Sequence, residues 1–144
     1  MLAMLLGAAL LAAAPLDAGH AAVLAVVSQD PMAGACEPGE LRKAVVATPI
    51  KTIGHLGGDS VVLFAVHARC ICGEHNCQQY VIRYGTAAPR ALLVGLGWRA
   101  DPRPAKPLPQ IVVRSHWSAA VSDVTTYAYR GGKYVQIRSE RVRN

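Results

Sequence analysis

The stretch Val124-Thr125-Thr126-Tyr127-Ala128-Tyr129-Arg130-Gly131-Gly132-Lys133-Tyr134-Val135-Gln136-Ile137-Arg138 decides the fold class. Two runs rich in β-branched and aromatic residues flank a Gly-Gly pair, and the primed turns that join paired strands need positive φ at their central residues. The reading is a β-hairpin of Val124 to Tyr129 and Tyr134 to Val142. In its second strand Val135 and Ile137 alternate with Tyr134, Gln136 and Arg138, the period-2 pattern of a strand with one wet face. That pattern assigns Val135 and Ile137 to the core side.

The same signal recurs upstream. From Gly57-Gly58-Asp59 onward the chain runs in short Val, Ile, Tyr and Thr segments bounded by Gly, Pro and Asp, which read as strands. Val61 to Arg69 and Gln79 to Tyr84 form a hairpin around a Cys/Gly/Asn loop, followed by Ala91 to Trp98 and Gln110 to Trp117. Gly95 and Gly97 mark a bulge or a close approach of backbone. Asp101 to Pro109 holds four prolines and reads as an extended surface connection, since proline donates no ladder hydrogen bond. Before the strands, Glu37 to Val46 reads as one short helix, with acids first and bases later as the helix dipole prefers, and Pro49 beyond it. The expected fold is mainly β with a minor helical part: an antiparallel sheet or sandwich of five to six strands, one short N-terminal helix, stabilised by disulfides.

Met1 to Ala14 is almost wholly Leu, Ala and Met and is followed by Pro15, Asp17 and Gly19, the order of a secretory signal peptide that lacks the basic start. Pro15, Asp17 and His20 interrupt the roughly 20 apolar positions a membrane span needs. The expected organisation is a signal peptide over residues 1–21, a linker over 22–35, and one β-rich domain over 36–144 in the periplasm or outside the cell. Removing Met1 to Ala21 takes away Asp17 and no base, raising the formal charge from +6 to +7. Eleven of the fifteen bases are Arg, whose guanidinium forks onto carboxylates and phosphates. Arg114, Arg130, Lys133, Arg138 and Arg141 gather on the candidate strands at the C-terminal end and form one basic face if those strands pair. Acidic partners follow: anionic envelope polymers, lipid head groups at a membrane surface, or an acidic protein. No nucleic-acid reading motif is present.

Cys70-Ile71-Cys72-Gly73-Glu74-His75-Asn76-Cys77, with Cys36 further upstream, supplies four cysteines. An even count in an exported chain points to two disulfides. Cys72 with Cys77 and Cys36 with Cys70 is one pairing, and Cys36 with Cys72 and Cys70 with Cys77 is the other. Cys70, Cys72, His75 and Cys77 are also a thiolate and imidazole set of the kind that takes zinc or cuprous copper, although their spacing departs from separated ligand pairs and leaves Cys36 odd. The disulfide reading implies no cofactor; the metal reading implies Zn or Cu. His55, His67 and His116 stand apart from any acid or serine motif. Trp98, Trp117, Tyr127, Tyr129 and Tyr134 suit either a sugar-stacking face or core packing.

The Cys-x-Cys-Gly-x-x-Asn-Cys loop at Cys70 to Cys77, between Val61 to His67 and Tyr80 to Arg83, resembles that of small exported proteobacterial β-proteins of uncharacterised function, as does the ending Tyr127 to Tyr134. The resemblance implies an exported β-domain with a cysteine-closed hairpin and carries over no activity. No paired carboxylates, phosphate loop, nucleophile elbow or metalloprotease helix occurs in the sequence. The expected function is therefore a non-enzymatic periplasmic binding protein for an anionic polymer or acidic protein. A metal-binding protein and an inhibitor or immunity protein against an envelope-attacking enzyme are the alternatives.

Overall fold

Val61 to Phe64 are apolar at every position and all are buried, and Tyr80 to Ile82 on the neighbouring strand are buried as well. Strands apolar on both faces belong to a sheet covered on both sides. A computed structural model describes residues 14–144, and in it this pair lies at the centre of a three-layer arrangement. Most of the run proposed as a leader, residues 1–13, lies outside the described residues.

The first sheet contains β1 (Lys51–Leu56), β2 (Asp59–Ala65), β3 (Cys77–Tyr84) and β4 (Arg90–Gly97) in that spatial order, all antiparallel. The second contains β5 (Arg99–Arg103), β6 (Gln110–Ser118), β7 (Val121–Arg130) and β8 (Lys133–Arg143), also a simple meander. Val62, Phe64, Tyr80 and Ile82 point from the first sheet toward a helical layer, and Val61, Leu63 and Val81 toward the second sheet. The rings of Phe64 and Tyr80 stack at 5.2 Å.

The helical layer holds α1 (Ala18–Val27), a 3-10 turn (Pro31–Ala35) and α2 (Pro38–Val46). The one helix expected from sequence is α2, with Glu40 in its first turn and Lys43 in its last. The segment 22–35, read as a linker, contributes Val23, Val26, Val27 and Ala33 to the core under the first sheet. Local sequence does not distinguish such a segment from a linker, because the sheet that buries its apolar residues is distant in the chain. Asp17 caps α1 by accepting from His20 N at 3.0 Å, so cleavage after Ala21 would remove both the cap and the first turn. No described helix is long and apolar enough to cross a membrane.

The described residues form eight strands rather than five to six. β1 escapes a propensity reading because it contains Gly54 and His55 and carries a register shift between Thr52 and Gly54. A side chain at Gly54 would meet the buried Leu108, 2.7 Å from the position of its Cβ. β5 escapes because it includes Pro102, yet it is an edge strand, where a missing donor is tolerated. The proline-rich connection is therefore shorter than expected, spanning residues 104–109. It is also not purely surface, since Leu108 is part of the core between the sheets.

Only Trp98 separates β4 from β5, so one nearly continuous strand passes from the first sheet to the second. Trp98 N donates to Arg114 O at 2.9 Å at this crossing. Gly97 makes the crossing feasible: a Cβ there would lie 2.6 Å from both Arg114 O and Val113 Cγ1. Of the two glycines singled out on this strand, Gly97 is the close approach, while Gly95 has only ordinary contacts.

The Gly131-Gly132 hairpin forms as expected, with φ of 59° and 85°. Before the bulge at Ile137 the facing of its second strand is the reverse of the expectation, while beyond it Arg138 faces outward as expected. Tyr134 is buried and donates to Pro109 O at 2.8 Å, whereas Ile137 is exposed. Arg138 pairs with Thr126 and Gln136 with Tyr127, leaving Ile137 as the extra residue of a β-bulge. Period-2 alternation identifies two faces but does not say which one is covered.

Candidate functional site

Strand alternation and register together define what each face of the second sheet carries. Ala100, Ile111, Val113, Tyr127, Tyr129 and Tyr134 face the first sheet and form the inter-sheet core. This places all three tyrosines in packing rather than on a sugar-stacking face, and burial pushes the Tyr134 phenol up to about 12. The opposite, outer face carries Arg99, Asp101 and Arg103 of β5, beside Arg114, Val112 and Gln110 of β6. Further across the same face come Val124 and Thr126, then Glu140 and Arg138, with Arg130 opposite Lys133 at the hairpin end.

Four of the five residues proposed for a basic face, Arg114, Arg130, Lys133 and Arg138, thus share one face. Arg141 does not. It pairs with Asp123 on the other face, donating at 2.8 and 3.3 Å, and its guanidinium lies 4.3 Å from the Trp117 ring centre. That pairing holds the Asp123 carboxyl below its usual range. The structure adds Arg99 and Arg103, which sequence reasoning missed because β5 was taken as loop. Arg99 stands directly opposite Arg114. Arg99 is paired with Asp101 and Arg138 with Glu140, each at 2.7 Å. Among the described residues Arg103, Arg114, Arg130 and Lys133 form no salt bridge.

The same face runs on into an aromatic and histidine cluster. His116 lies two residues beyond Arg114 on β6, and its ring stacks on Trp98 at 5.2 Å while meeting His75 edge-on at 5.9 Å. The cysteine loop is clamped there by Asn76, whose side-chain amide donates to His116 O at 3.1 Å and accepts from His116 N at 2.9 Å. One asparagine thus pairs with β6 backbone as another strand would. Buried Gln79 adds a second clamp, donating to Gly97 O at 2.8 Å. Trp98 remains 40% exposed, which leaves the stacking surface open to a ligand, whereas Trp117, 54% exposed, lies against Arg141.

The cysteines form Cys36–Cys70 and Cys72–Cys77, the first of the two pairings open from sequence. Cys70 is thereby bonded to the helical layer and does not join Cys72, His75 and Cys77 as a ligand set. The histidine that approaches the sulfurs is His67, with Nδ1 3.6 Å from Cys77 Sγ. Several acids are committed elsewhere: Asp30 accepts from Tyr80 Oη at 2.6 Å, and Asp59 from Arg83 and Thr86.

Fold and site define a disulfide-bonded sandwich of two antiparallel sheets, one face covered by helices and the other presenting arginines beside an aromatic cluster. Comparison of the chain with protein-family models, curated proteins and solved structures finds no match.

Proposed function

We propose that this chain is a non-enzymatic, exported binding protein of the periplasm, and that its ligand is an anionic polymer lying along the outer face of the second sheet. The observation that carries this reading is the placement of Arg99 directly opposite Arg114. Like charges across a strand pair oppose one another. A face that holds two guanidiniums side by side, with Arg103 and Arg138 in the same plane of the sheet, gains when a polyanion settles over it. The Trp98, His116 and His75 rings at the end of the strip supply stacking surface for ring-containing units of such a polymer. Both disulfides suit an oxidising compartment.

Binding to a polyuronate and to a polyphosphate-bearing polymer, followed by fluorescence of Trp98 and Trp117 across a salt series, tests the reading. Affinity is expected to fall steeply with salt, since exposed charges are screened over about 10 Å at 0.1 M. The Arg99→Gln/Arg114→Gln double variant should bind at least about tenfold more weakly, the equivalent of about 1.4 kcal/mol. Arg141→Gln, on the other face, should bind as the parent does. Equal losses in both variants, or no binding at low salt, would remove the proposal. An acidic protein would meet the same cations, and would be recognised by saturable 1:1 binding with no dependence on chain length of the anion.

A further inference from the structure

The two disulfides do unequal structural work. Cys36–Cys70 joins residues 34 apart and ties the helical layer to the β2–β3 connection, whereas Cys72–Cys77 joins residues 5 apart. Constraint of the unfolded chain grows with loop length, so the second bond has the smaller role in stability. Its loop is also closed without it: Gly73 N donates to Asn76 O at 2.8 Å, and Asn76 is held by both backbone groups of His116. Opening the Cys72–Cys77 bond would therefore leave its two sulfurs near each other on a fixed loop.

Beside those sulfurs stands the exposed His67. The ligand atoms of His67, Cys72 and Cys77 all lie within 4.8 Å of one another. A tetrahedral zinc centre, with Zn–S of about 2.3 Å and Zn–N of about 2.0 Å, spaces its ligands by roughly 3.5 Å. We propose that His67, Cys72 and Cys77 form a redox-gated site for a thiophilic cation, Zn2+ or Cu+, which opens only when the Cys72–Cys77 bond is reduced. This site adjoins the end of the polyanion face, sharing His75 and Trp98 with it, but none of its three ligands belongs to that face.

The reducing step needs an external dithiol. Its two thiols deliver two electrons and two protons to the Cys72–Cys77 bond, leaving two cysteine thiols and an oxidised, disulfide-linked donor. Cation binding then displaces the two thiol protons to solvent, and neutral His67 offers the Nδ1 lone pair. Thiolate with imidazole is the donor set that favours these soft ions. The site opens into a surface depression lined also by Arg69, Glu74, His75 and Trp98, where water can supply a remaining ligand. In the oxidised state both thiolates are lost, and the site is closed.

The test uses the full chain treated with a dithiol, freed of it without oxygen, its thiols assigned by alkylation and peptide mass, then titrated with Zn2+ against a chromophoric chelator. Chain reduced at Cys72–Cys77 is expected to take one equivalent, and oxidised chain none. His67→Ala should weaken binding by more than about tenfold, and Cys72→Ser/Cys77→Ser treated identically should take none. Should that variant fail to fold, alkylation of Cys72 and Cys77 in the reduced parent provides the same block. Absence of zinc uptake by reduced parent overturns the proposal. So does uptake unaffected by blocking Cys72 and Cys77, which would assign the metal to Cys36 and Cys70, or affinity indifferent to His67→Ala.

Discussion

Arg83 Nε donates to Asp59 Oδ2 at 2.7 Å across the β2–β3 pair, and the Asp59 side chain that receives it is only 5% exposed. The other carboxylate oxygen accepts from Thr86 N at 2.8 Å and Thr86 Oγ1 at 3.0 Å. One aspartate at the start of β2 therefore holds the turn between β3 and β4, and a side chain at Gly85 would overlap it.

The backbone N–H of Thr86, then Arg83, keep the Asp59 carboxyl below its usual range. With the folded pKa depressed, its contribution is fully present above the unfolded value of about 3.9 and is lost as pH falls through the folded value. Urea midpoints measured from pH 7 to pH 2 should fall on the acid side. Asp59→Asn should flatten that fall and lower the neutral midpoint more than Asp123→Asn does, because the Asp123 side chain is 34% exposed.

His20 predicts the opposite pH dependence. Its Nδ1 lies 2.5 Å from Asp17 Oδ2 and its Nε2 3.1 Å from Thr48 O, two acceptors that both ring nitrogens can satisfy only as donors, in the imidazolium form. The Asp17 hydrogen bond is the main cause of its raised pKa, with Thr48 O adding to it. The contribution is complete below about 6.5 and disappears as pH rises through the raised value. In the chain that retains Asp17, stability should decline from pH 6 to pH 9, and His20→Ala should abolish that decline. An unchanged slope in the variant would show that the α1–Thr48 contact does not depend on charge.

Gly97 and Gly95 offer a paired comparison on one strand. Gly97→Ala forces a Cβ to within 2.6 Å of Arg114 O and Val113 Cγ1, whereas at Gly95 the nearest atoms are 3.7 Å away. Overpacking of this kind costs about 1–3 kcal/mol, so Gly97→Ala should lower the unfolding free energy by that amount and Gly95→Ala should change it little. Thermal and urea unfolding of both variants would measure the difference.

Tyr80 connects the core of the first sheet to the 3-10 turn through its 2.6 Å bond to Asp30. Burial and this acidic partner both raise the phenol's pKa, so it stays protonated as the donor. Tyr80→Phe preserves the stack on Phe64 and deletes a hydrogen bond to a charged group, worth about 1.5 kcal/mol or somewhat more. Equilibrium unfolding should show that loss, and hydrogen exchange should show it as reduced protection in residues 30–36.

The features readable in the chain are those that depend on neighbours in sequence. β-branched runs, the Gly131-Gly132 turn and the charge order of Glu37 to Val46 identify a β-rich fold, a hairpin and α2, because turn torsions and helix dipoles act over a few residues. The count of four cysteines implied two disulfides but left two pairings open. Clustered arginines implied a basic surface but not its membership. Register decided that: alternation places Arg114 and Arg138 together with Arg99 and Arg103, and turns Arg141 to the side of Asp123.

Determined by the sequence itself, then, are the strand-forming composition, the main hairpins, α2, the positive charge and the presence of bridging cysteines. Tertiary structure alone decided that β5 forms along an edge despite Pro102, that Val23, Val26, Val27 and Ala33 of the segment 22–35 belong to the core, that Tyr134 rather than Ile137 is covered, and that His67 meets Cys77. Each of these depends on what lies across a sheet or beneath a layer, and such contacts join residues far apart in the chain, where local propensity and period have no reach.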